Sequence, residues 1–187
     1  MRTVALVAVL VVASPALADR GTVVTLGAML DGRSTASTFT TASNQVVNDV
    51  LGGARLTLSF EDAPPPLPPA EMISSDLRLA PELLAGFLAD DTHAEGYVGA
   101  GVRGELWLAS ARRGFQMRTA IYLAARAIVI GGHQDGAAEL AMGEYLLFAD
   151  GKRFGWEGGA MIRPRNDAAP DQAKELDALM SIYVGWR

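Results

Sequence analysis

The stretch Ala54-Arg55-Leu56-Thr57-Leu58-Ser59-Phe60-Glu61 alternates apolar and polar residues without interruption. Successive side chains of an extended chain point to opposite faces, so the stretch reads as a strand with one apolar face and one polar face. Its apolar face carries Ala54, Leu56, Leu58 and Phe60. Its polar face carries Arg55, Thr57, Ser59 and Glu61.

The same period recurs on both sides. Gly21–Leu30 aligns Val24, Leu26, Ala28 and Leu30; Asp76–Leu88 sets Leu77, Leu79, Leu83, Ala85 and Phe87 against Asp76, Arg78 and Glu82. Tyr97–Ala109 opposes Val98, Ala100, Val102, Leu106 and Leu108 to Arg103, Glu105 and Trp107, and Phe115–Ile130 opposes Met117, Ile121 and Leu123 to Arg118, Tyr122 and Arg126. Ala137–Phe148 is the least regular, because Glu139 and Glu144 fall on opposite faces; a bulge near Gly143 would bring them together. Arg153–Arg163 and Glu175–Arg187 complete the set, which predicts eight strands.

Three segments also fit helical spacing. Asn44–Leu51 ends before a capping Gly52, Pro81–Leu88 begins with proline at a favourable first position, and Asp171–Tyr183 groups Leu176, Leu179, Met180 and Tyr183. With them the chain would be an α+β domain, soluble in the periplasm, serving binding or envelope maintenance. The run Pro64–Pro69 would be its stiff spacer.

Three features favour an all-β reading. The breaks between strands alternate in size, with Asp31–Asp49, Ala89–Gly96, Gly131–Gly136 and Pro164–Lys174 on one side and the tight Arg112–Gly114 and Asp150–Lys152 on the other. An even-stranded outer-membrane barrel shows such asymmetry, with short periplasmic turns and longer external loops. Phe60, Phe115, Phe148, Phe154, Trp156 and Trp186 gather toward the strand ends on the short-turn side, as an interfacial girdle would. Finally, Arg2, the apolar run Val4–Ala13 and the small residues Ala16 and Ala18 form a secretory signal over residues 1–18, with cleavage before Asp19. Residues 19–187 then form one barrel domain.

With this pattern, and with the ending Met180-Ser181-Ile182-Tyr183-Val184-Gly185-Trp186-Arg187, the chain resembles the small eight-stranded outer-membrane β-barrels, the class of the OmpA transmembrane domain, OmpX and the opacity proteins. The resemblance implies an antiparallel up-and-down transmembrane β-barrel with both termini in the periplasm, contact with outer-membrane lipid, and a last strand read by the barrel-assembly machinery. The terminal aromatic usual in that strand is here the penultimate Trp186, and Arg187 follows it.

An eight-stranded barrel has an interior just wide enough for side chains to fill. The polar faces place Arg55, Arg78, Arg103, Arg118, Arg126 and Arg153 there, against Glu61, Asp76, Glu82, Glu105, Glu157, Glu175 and Asp177. A plugged, ion-paired interior follows, not a pore. Arginine outnumbers lysine 14 to 2 in the chain, and its planar fork suits desolvated carboxylate pairs.

The remaining chemistry is sparse. There is no cysteine, which excludes a disulfide framework or thiolate site. The net charge of −5 without basic clusters argues against nucleic acid as a partner. His93 and His133, the latter with Asp135, are the metal-ligand candidates, and both fall in external loops. Neither has a serine two residues on, as the lipid-modifying deacylases among small barrels would require, so no catalytic residue and no cofactor is assigned. The expected role is structural, or surface interaction through the external loops.

Overall fold

The structure is a computed structural model that describes residues 20–34, 49–69, 73–92, 94–112, 115–131, 135–164 and 174–187. Eight strands follow one another: β1 (Gly21–Ser34), β2 (Asp49–Glu61), β3 (Ile73–Ala89), β4 (Ala94–Arg112), β5 (Phe115–Ile130), β6 (Asp135–Leu147), β7 (Arg153–Pro164) and β8 (Lys174–Trp186). Each pairs antiparallel with its sequence neighbour, and β8 returns to β1 to close the barrel.

Register measures the stagger of that closure. From Val24 the cross-strand partners run Leu58, Leu83, Ala100, Ala127, Ala138, Ile162 and Leu176, and return to β1 at Ser34. The circuit therefore climbs β1 by ten residues, from 24 to 34. An even stagger lets inside and outside alternate without a fault at the seam. In small barrels it goes with a strand tilt of about 35–45°.

Polarity divides along that alternation. Leu26, Leu56, Val98, Leu123, Leu140, Met180 and Ile182 are exposed on the outer face, whereas Arg55, Arg103, Arg126, Glu82, Glu139 and Asp177 are buried inside. Water-soluble sheets place their apolar face toward the core. Here the relation is inverted.

Where the chain also read as helix, every described residue is strand. Val50 and Leu51 belong to β2, Pro81–Leu88 to β3, and Lys174–Tyr183 to β8. Closed pairing decides this: each segment completes a ladder that a helix would leave open. Pro81 is accommodated because the β2–β3 ladder ends at Ser59↔Glu82, immediately before it, so no β2 partner lacks a hydrogen bond there.

The expected bulge near Gly143 is absent, and β6 pairs without a break on both sides. Gly143 faces inward opposite Tyr122. A β-carbon there would lie 2.5 Å from the Tyr122 hydroxyl and would also meet the Trp156 carbonyl. The glycine makes room for a ring, and Glu139 and Glu144 do lie on opposite faces of the wall.

The strands overrun their alternating stretches, so the odd-numbered connections are shorter than expected. The β3–β4 connection shrinks to residues 90–93 and the β5–β6 connection to 131–134, while 35–48 and 165–173 remain long. At the opposite end, β3, β4 and β5 continue to Ile73↔Ser110 and Arg112↔Phe115, well past the last β2–β3 and β5–β6 pairs. The barrel thus extends a three-stranded tongue on the side of the termini. There the β6–β7 turn is tightened by Gly151 at φ 83°, with Gly151 N donating to Phe148 O and Phe148 N to Lys152 O.

Candidate functional site

The lumen holds most of the chemistry. Its central tier is built on Arg55 from β2 and Arg126 from β5. Arg55 forks onto Glu139, with Nη1 2.9 Å from Oε1 and Nη2 2.6 Å from Oε2, and its Nη1 also donates to Glu157 at 2.9 Å. Arg126 donates to both oxygens of Glu157, at 2.7 and 2.6 Å, and pairs closely with Glu82 and Glu139. The hydroxyl of Tyr122 adds a bond to Glu157 at 3.0 Å.

Next toward the termini lies a second tier. Arg103 and Arg153 share Glu61, with Nη2 of each 2.6 Å from one of its oxygens. Arg103 Nε sits 2.8 Å from Glu105, which also accepts from Trp107 Nε1 at 2.9 Å and from the Tyr145 hydroxyl at 3.1 Å. The Arg103 guanidinium lies 4.9 Å from the Tyr122 ring centre and that of Arg153 4.7 Å from Tyr145, so both cations stack on aromatic faces. Glu82 links the tiers by reaching Arg103 at 3.8 Å.

Toward the end of the barrel away from the termini the character changes. Met29, Leu51, Leu84, Leu88, Ile128, Ile130, Met161 and Leu179 pack as an apolar layer with Tyr97. Beyond it Arg163 holds Asp177 at 2.6 Å, Glu95 at 3.1 Å and Asp31 at 3.4 Å. A cavity of about 10 Å³, bounded by Arg55 on one side and by Glu95 and Arg163 on the other, is the space left within the layer. Another of about 20 Å³ lies beside Arg55, Arg103 and Arg126 where Thr25, Gly27, Thr57 and Ser181 leave the wall thin. Each suits single water molecules, about one probe sphere being the least a water needs.

The two inner tiers set Arg55, Arg103, Arg126 and Arg153 against Glu61, Glu82, Glu105, Glu139 and Glu157, all buried. Carboxylates exceed guanidinium groups by one. The neutral donors Trp107, Tyr122 and Tyr145 add hydrogen bonds to Glu105 and Glu157, of the kind buried charge calls for.

Two of the arginines expected here lie outside the network. Arg78 has the inward phase but sits on the tongue, where it binds Asp76 at 2.7 Å and the Ala63 carbonyl. Arg118 is half-buried near the same end and pairs with no carboxylate among the described residues. Conversely Glu139, Asp31, Glu95 and Arg163 are network members that the sequence pattern did not single out. The irregular pattern around Gly143 hides Glu139, and Asp31 and Glu95 stand in strand extensions beyond the regular alternation. Asp177 is buried on Arg163, as its inward phase implies.

Of the girdle aromatics, Phe60 is half-buried and Phe148, Phe154, Trp156 and Trp186 are exposed, all on the outer face toward the termini. Phe115 opens β5 at that end, and Asp135 opens β6 at the other. His93 and His133 lie outside the described residues. No protein-family model matches the chain, and no curated protein matches it.

Proposed function

We propose that this chain is an integral outer-membrane β-barrel whose sealed, ion-paired lumen makes a rigid support for its external loops, with a structural or surface-interaction role. The observation that carries this reading is the inverted polarity: charges fill the lumen while large apolar side chains cover the outside. Left in water, that surface far exceeds the few hundred Å² of contiguous apolar patch that soluble monomers tolerate. A bilayer is the favourable solvent for it, and closure pairs every strand on both sides within the barrel, as the hydrocarbon demands. Strands of 12 to 19 residues exceed the roughly 9–11 that a tilted strand needs to cross.

On this reading residues 1–18 are a secretory signal, the termini and the tongue face the periplasm, and β8 presents Trp186 to the assembly machinery. Arg187, which follows, crosses Gly21 to reach the carbonyls of Glu61 at 3.3 Å and Asp62 at 3.5 Å, so it fastens the closing seam to β2.

Gel mobility of the membrane fraction with and without boiling tests the proposal. The folded barrel is expected in the outer membrane and should shift on heating. Recovery in the soluble periplasmic fraction, with no heat-dependent shift, would favour a soluble binding or maintenance role instead.

A further inference from the structure

Among the residues whose side chains are described, Glu144 of β6 is the one charged residue at an outward position of the eight strands; Arg112 and Lys174 share that phase only at the ends of β4 and β8. The unbroken pairing of β6 forces it outward: Gly143 and Tyr145 point into the lumen, so Glu144 cannot. It lies directly opposite Ile121 of β5 and Trp156 of β7, within the aromatic girdle formed with Phe148 and Phe154.

Among the described residues its side-chain hydrogen-bond partner is Thr119. That hydroxyl is 3.2 Å from Glu144 Oε1 but 2.8 Å from the Tyr145 carbonyl, and it has a single hydrogen to give. The carbonyl is the closer acceptor, so the carboxylate keeps nearly all of its acceptor capacity. No cation of the chain pairs with it among the described residues. A half-buried anion on an apolar wall, flanked by an indole, is complementary to a small cation that donates hydrogen bonds and can lie against an aromatic face.

We infer that Glu144, Trp156 and Thr119 form a site for the primary ammonium headgroup of a phospholipid in the periplasmic leaflet, that of phosphatidylethanolamine. The inference rests on the membrane reading above. The girdle puts the carboxylate at headgroup depth, and Met142, Leu123 and Leu140 continue from it along the wall to receive the acyl chains. A quaternary ammonium lacks the N–H donors the carboxylate calls for, and an anionic headgroup would be repelled.

The test is native mass spectrometry of the full chain released from micelles, titrated separately with phosphatidylethanolamine, phosphatidylcholine and phosphatidylglycerol. Phosphatidylethanolamine should be retained preferentially. Glu144→Gln should weaken its retention about tenfold, as loss of a charge-assisted hydrogen bond implies, and Trp156→Leu should weaken it less. Phosphatidylglycerol retention should not fall in either variant. Free ethanolamine at matched concentration should not displace the lipid; displacement would overturn the lipid in favour of a soluble amine. Equal retention of phosphatidylethanolamine by wild type and Glu144→Gln, both showing a heat-dependent gel shift, would overturn the site while leaving the barrel reading intact. Absence of that shift in the wild type would instead remove the membrane reading and this inference together.

Discussion

At the scale of single residues, the lumen is a place where charge is tolerated only in company. Arg126 touches Glu82, Glu139 and Glu157, and its side chain is almost wholly buried. Arg126→Met should cost about 3–5 kcal/mol, because it leaves three buried carboxylates short of a cation. Urea unfolding of the refolded barrel would measure the loss, and adding Glu157→Gln to Arg126→Met should restore part of it. A loss below ~1 kcal/mol would mean that water reaches the pair. Gly143 shows the opposite economy: its missing side chain leaves the space taken by the Tyr122 hydroxyl, which donates to Glu157.

At the scale of elements, exposure and environment can be separated. Leu140 at the middle of β6 is 67% exposed and Ile73 at the tip of the tongue is 72% exposed, so accessibility alone assigns arginine the same small cost at either site. If lipid surrounds the barrel but not the tongue, Leu140→Arg should cost ~2–4 kcal/mol and Ile73→Arg ~0–1 kcal/mol. Equal costs in a lipid-bilayer unfolding titration would argue against lipid around β6. The tongue was not legible in advance: Asp76 and Ala109 mark where clean alternation ends, but β3 and β4 keep pairing beyond them because each still has the other as partner. Strand existence follows from local period, strand length from the neighbour.

For the whole molecule, the apolar layer between Arg55 and Arg163 matters as much as the ion pairs. A continuous polar lumen could admit ions along its charges, whereas Leu51, Leu84, Leu88, Ile128 and Met161 interrupt the path with side chains that cannot solvate them. Planar bilayers containing the refolded chain should therefore stay at baseline current. Sustained open-channel steps would show that the layer does not seal. A sealed lumen would leave the loops at one end, the outer wall and the tongue at the other as the surfaces on which the protein can act.

The sequence by itself determined the eight strands, their order and which face of each is apolar, because those follow from a period of two that each strand carries locally. The arginine-rich inner face was legible for the same reason. Only the closed structure decided which charges meet: Arg55 and Glu157 are 102 residues apart, and a change of two residues in the ten-residue stagger would bring different partners together. Closure also turned Glu144, an apparent irregularity of β6, into a solitary anion on the outer wall, because cross-strand pairing leaves an unbroken strand no freedom to turn one side chain inward.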